Sequence, residues 1–181
     1  GNYRAILQER PDDRMALAKV AAYCAGQGDY PKAVEFYKRL CVSDPDNVAY
    51  RIRLGITLLW TDKADEGMQK LYELDFSYPD NADVRRALAW GLLVQAKPKK
   101  AEEIYDRLLA AGECEASDQL NAGYSKWFQG KVSDAVILFK NYNANSSSGL
   151  CAAFNTDSQL LLVYGITACD RNIMLDLASN F

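Results

Sequence analysis

Apolar residues in this chain recur at helical spacing and not in alternation. Ile52, Ile56 and Leu59 stand at i, i+4 and i+7, with Leu54, Gly55 and Leu58 one step round. That spacing predicts an amphipathic helix. Residues 15–26 and 32–42 also read as helices, joined by Gly28-Asp29-Tyr30-Pro31, a turn whose proline suits a first helical turn. Asp44-Pro45-Asp46-Asn47 ends the second of them, because proline cannot continue a helix. Tyr78-Pro79-Asp80-Asn81 repeats that stop.

The pattern has a period of 34. Ala33, Gly67, Ala101 and Ala135 recur at that period, and so do Ala21, Gly55, Ala89 and Gly123. Tyr3, Tyr37, Leu71, Tyr105 and Phe139 form a bulky column, and Ile6, Leu40, Leu74, Leu108 and Tyr142 form another. Pro11, Pro45 and Pro79 share the period before it lapses at Glu113 and Ser147. Each unit therefore predicts two helices. The small columns let them approach closely, and the bulky columns fill the space around the crossing.

After Ser148 the expected phase is lost. Residues 143–148 are rich in Asn and Ser and predict a loop. A shift of about eight residues brings Gly165 into the small column and predicts a first helix over 157–170, capped by Asp157 or Ser158. A short last helix is expected over 172–181. Leu160, Leu161, Leu162, Val163 and Ile166 leave little polar face, so this segment needs a cover.

The run Gly28-Asp29-Tyr30-Pro31-Lys32-Ala33-Val34-Glu35-Phe36-Tyr37, closing at Asp44-Pro45, resembles the second half of a tetratricopeptide repeat. The resemblance covers units 14–47, 48–81, 82–115 and 116–149. A half unit, 1–13, precedes them, and 150–181 follows as a loop plus helical segment, a fifth unit or a cap. It implies an all-α chain, a right-handed α-solenoid of antiparallel helix pairs. The half unit lacks its first helix, so the chain is expected to be cut from a longer array.

In that family the first helices line a concave groove that binds partners. The inward set is then Ala18, Ala22 and Ala25 in the first unit, and Ile52, Ile56 and Leu59 in the second, with Trp60 at the edge. Arg86, Trp90 and Leu93 follow in the third. Leu120, Tyr124 and Trp127 follow in the fourth, with Phe128 alongside. The candidate peptide-binding residues are Ile52, Ile56, Trp60, Arg86, Trp90, Leu93, Tyr124, Trp127 and Phe128. All three tryptophans fall in or beside this stripe, and tryptophan is enriched at binding hot spots. The same aromatics also suit packing between repeats. Some family members grip an acidic peptide tail with Lys, Asn and Arg; here the matching positions are apolar and only Arg86 could hold a carboxylate. The expected partner is therefore an apolar or aromatic peptide or helix, bound at micromolar affinity, about −8 kcal/mol. The alternative is a self-associating assembly module whose groove is filled by its own C-terminal segment or by a second copy.

Composition narrows the chemistry. The 181 residues carry a net charge of −3 and no histidine. The pI is near 5.1. There is no basic footprint for nucleic acid. No His can serve as general base or metal ligand, and no nucleophile elbow or phosphate loop is present. The expectations are no enzyme, no cofactor, no metal, no membrane insertion, and a protein or peptide partner, with a homo-oligomer open. Lys97, Lys99 and Lys100 read as a solvated turn. Asp44, Asp46, Asp62, Asp65 and Asp80 read as caps. The five cysteines fit no zinc spacing, read as buried small apolar residues, and favour a reducing cytoplasmic setting. Cys114 and Cys151, in expected loops, are the candidates for a reactive thiol. The alternative setting is a bacterial periplasm or envelope, after removal of a signal segment.

Overall fold

The computed structural model describes residues 2–179, and among them every regular element is an α-helix. The chain divides into two compact units, Gly1–Ala87 and Leu88–Phe181, with the boundary inside one helix.

The first unit opens with α1 (Tyr3–Glu9) and continues as two hairpins, α2 (Arg14–Gly26) with α3 (Tyr30–Ser43) and α4 (Val48–Leu58) with α5 (Ala64–Ser77). Pro31 stands in the first turn of α3. The small columns mark where paired helices touch. A Cβ on Gly67 would sit 2.7 Å from the Gly55 carbonyl oxygen, and one on Gly55 would sit 2.9 Å from Leu71 Cδ2. Leu17, Val20, Ala21, Ala33, Tyr37, Leu40, Leu54 and Leu58 form the core around the crossings.

Helix α6 (Ala82–Val94) runs through the boundary. The second unit continues with α7 (Pro98–Ala110), then the hairpin of α8 (Ala116–Trp127) and α9 (Val132–Asn145). Here a Cβ on Gly123 would meet Phe139 Cε1 at 2.6 Å. Three helices close the chain: α10 (Gly149–Thr156), α11 (Ser158–Val163) and α12 (Ala168–Ser179).

First helices begin on side-chain caps. Asp13 accepts from Ala16 N at 2.9 Å, Asn47 from Tyr50 N at 3.0 Å and Asn81 from Val84 N at 3.1 Å, while Glu115 forms a capping box with Asp118. These four recur at the repeat period, in a column the apolar pattern does not reveal. Helices α2, α6, α8 and α11 also end alike. The Asp29, Lys97, Lys131 and Ile166 amides each donate five residues back, to Cys24, Leu92, Lys126 and Leu161. The residue before each is left-handed, glycine in three cases and Ala96 (φ 59°) in the fourth.

The C-terminal part departs from expectation in five ways. Helix α9 continues to Asn145, so only 146–148 is a loop; the Asn145 side-chain amide donates to the Asn141 carbonyl and caps the last turn. The shift of eight does not occur, because α10 begins at Gly149, one position short of a full period after the start of α8 at Ala116. No helix spans 157–170: the apolar run ends at Val163, Gly165 turns left-handed, and α12 starts at Ala168 on a box between Thr167 and Asp170. That is earlier than the expected start at 172, and Phe181 lies outside the described residues. Asp157, which interrupts the helix between α10 and α11, makes no cap bond. It stands one period after Gly123, in the column that fits against a neighbouring helix, and a carboxylate cannot take that place without burial of its charge.

Candidate functional site

In the first unit Ile52 and Ile56 lie one step round α4 from the crossing glycine, half-buried, with apolar surface left open. Trp60, just beyond the helix, is also half-buried and stacks on Tyr30 with ring centroids 6.1 Å apart. Arg86 Nη1 lies 2.6 Å from Asp83 Oδ1, one turn back. Its guanidinium already holds a carboxylate of its own helix.

In the second unit Trp90 is half-buried on α6. Leu93 and Tyr124 are wholly buried. Their side chains are interior packing and offer no surface to a peptide, which corrects their expected place in the groove. For Tyr124 the reason is an aromatic cluster. The Tyr124 ring meets Phe128 at 5.5 Å, Phe139 edge-on at 5.7 Å and Phe154 at 6.1 Å. Trp127 meets Phe154 at 5.5 Å and Phe139 edge-on at 5.8 Å. Phe128 carries Tyr164 on its face, with centroids 3.8 Å apart and planes 18° from parallel. The Tyr164 hydroxyl donates to the Leu93 carbonyl at 2.5 Å. Burial pushes that hydroxyl up to about 12, so it remains a donor at neutral pH.

The Tyr124 hydroxyl donates to Asp157 Oδ2 at 2.8 Å. Burial raises the Asp157 carboxyl above the usual range, and the Tyr124 bond only partly opposes this. Burial, reinforced by the Asp157 charge, drives the Tyr124 hydroxyl far above its ordinary value. A second polar cluster joins α7 to α8 and the start of α9. Glu102 accepts from Lys131 at 2.9 Å and Lys126 at 3.2 Å, and Lys126 also reaches Asp106 at 3.2 Å. Burial works against the Glu102 charge, yet the two lysines outweigh it and hold the carboxyl below the usual range.

Sequence reasoning missed Phe154 and Tyr164, and read Asp157 only as a cap. Phe154 and Asp157 follow Leu120 and Gly123 by one period, so carrying the repeat past Ser148 would have found them. Nothing in the pattern marks Tyr164. The cysteines also differ from expectation. Only Cys24 is buried, while Cys114, Cys151 and Cys169 are exposed. Cys151 sits in α10 rather than a loop. At half-buried Cys41, burial raises the thiol despite Arg51 and Lys70. No helix among the described residues is long and apolar enough to cross a membrane.

No family model matches the chain, and no curated protein does. Solved structures do. A tetratricopeptide repeat protein from Parabacteroides merdae superposes with a TM-score of 0.74 at 17% identity over 90% of this chain, which spans 62% of that protein's length. A thermophilic repeat protein of Thermus thermophilus gives 0.68 at 16% identity, covering 90% of this chain and 84% of its own. YrrB, described as a repeat protein with an unusual peptide-binding site, gives 0.52 at 17% identity, covering 99% and 92%. The chain has the tetratricopeptide-repeat fold.

Proposed function

We propose that this chain is a non-catalytic scaffold for protein–protein interaction, taking an apolar or aromatic peptide or helix along its first-helix faces. The observation that carries this is the open apolar row at Ile52 and Ile56, one step from the packed crossing. Buried core explains Leu54 and Leu58; it does not explain isoleucines left partly exposed on the same helix. The neighbours with this fold support the reading, and one of them, YrrB, is described as having a peptide-binding site. Peptides selected by display on the intact chain are expected to be apolar or aromatic and to bind at micromolar Kd, about −8 kcal/mol. Ile56→Asp should weaken them at least tenfold with the helical signal intact. Unchanged binding by Ile56→Asp and Ile52→Asp sinks the assignment.

A second reading, a self-associating module, is favoured by Val42 and Phe76, both strongly exposed and at equivalent places in the repeat, on α3 and α5. Sedimentation over a hundredfold concentration range checks it: a weight that rises, and returns to monomer in Phe76→Ser, supports it.

A further inference from the structure

Tyr164 is held by two contacts of different kinds. Its ring lies flat on Phe128, and its hydroxyl donates to the Leu93 carbonyl. That carbonyl also accepts from the Ala96 amide at 3.0 Å. A carbonyl oxygen has two lone pairs, so the phenol adds a second bond and displaces none. Phe128 is backed by Tyr124 and Trp127. A flat aromatic face and a fixed acceptor at phenol distance together read a tyrosine more fully than a phenylalanine.

The flanks of Tyr164 are built differently. Leu160 and Leu161 are wholly buried and seat α11, whereas Leu162 is 72% exposed and Val163 45%. Tyr164 ends the helix, and left-handed Gly165 follows it. The side chain can therefore leave Phe128 without unseating the helix that carries it.

We propose that the Phe128 face and the Leu93 carbonyl form a subsite for a tyrosine side chain of a partner peptide, occupied in this state by Tyr164. The inference rests on the interaction-scaffold reading and gives it a specificity: one tyrosine in the partner competes with the tethered one. A tether acts as a high local concentration, so the intact chain binds an isolated tyrosine weakly and removal of Tyr164 releases the site.

The test titrates N-acetyl-tyrosinamide and N-acetyl-phenylalaninamide into the isotope-labelled chain and follows amide shifts by NMR. Tyr164→Ala is expected to bind the tyrosine amide at least tenfold tighter than the unaltered chain, with shifts centred on Phe128 and Ala96. It should bind the phenylalanine amide at least threefold more weakly than the tyrosine amide, because that ligand lacks the donor. Tyr164→Phe keeps the stack, loses the bond and should fall between. Equal affinity in all three chains overturns the proposal, as does equal binding of the two amides. If Tyr164→Ala loses its helical signal, Tyr164→Phe decides alone, and no gain over the unaltered chain is fatal. The outcome is independent of Ile56: a flat titration leaves Ile56-dependent peptide binding standing, and the converse also holds.

Discussion

Ala96 occupies the left-handed position that ends α6, where Gly28, Gly130 and Gly165 stand after other helices of the same kind. A side chain there costs about 1–2 kcal/mol, while glycine loses roughly 0.5–1 kcal/mol more chain entropy on folding. Ala96→Gly is therefore expected to stabilise the protein by about 0.5 kcal/mol and raise Tm by about 1–2 °C, read by calorimetry. A fall in Tm would show that the turn gains more from the methyl group than from relaxed backbone. Residues of this kind are legible only in part from sequence. Glycine at a helix end announces itself, but the alanine in the same role does not, because its strain is a property of φ and not of composition.

Among elements, α7, α8 and the start of α9 are tied by Glu102 and its two lysines. Glu102 titrates below its ordinary 4.5 when folded. Its contribution is present above the unfolded value and is lost as pH falls through the lower folded one. Glu102→Gln should therefore be less stable than the unaltered chain at pH 7. In urea unfolding the gap should close as pH drops below about 4.5, as the wild-type carboxyl takes up its proton. A gap that persists unchanged at pH 3 would assign the loss to packing instead. The sequence is most legible at this scale. The columns at 21 and 33, carried forward by 34, locate the helix crossings because a crossing admits no side chain larger than alanine. Legibility ends where one column member changes character. Asp157 in place of a glycine suggests a new phase, when the helices start within two positions of their period and the first is broken at Asp157.

For the whole molecule, the C-terminal segment depends on α8. Tyr124 supplies the hydroxyl that donates to the Asp157 carboxylate. Tyr124→Phe should cost about 1–3 kcal/mol, since it strips a buried acceptor of that donor. Asp157→Asn keeps an acceptor in place and removes a charge whose raised pKa marks it as disfavoured in the folded state at neutral pH. It should cost less than half as much in the same urea measurement, and equal losses would deny the carboxylate its special position. The candidate site divides along the same line. Ile52, Ile56 and Trp90 keep part of their surface open; their place on an inward face is read from the family resemblance, with helical spacing as a check. The burial of Tyr124 and the cover over Phe128 are harder to read, since they come from Phe154, which an assumed change of phase hides, and from Tyr164, which no repeat position marks.

The caps at Asp13, Asn47, Asn81 and Glu115 imply something about how such a chain can grow. A stretch copied from just before one cap to just before the next brings its own starting signal and restores that of its neighbour. Duplication in whole periods therefore leaves both seams locally competent to begin a helix, while a step of any other length strands a helix without its first hydrogen-bond acceptor.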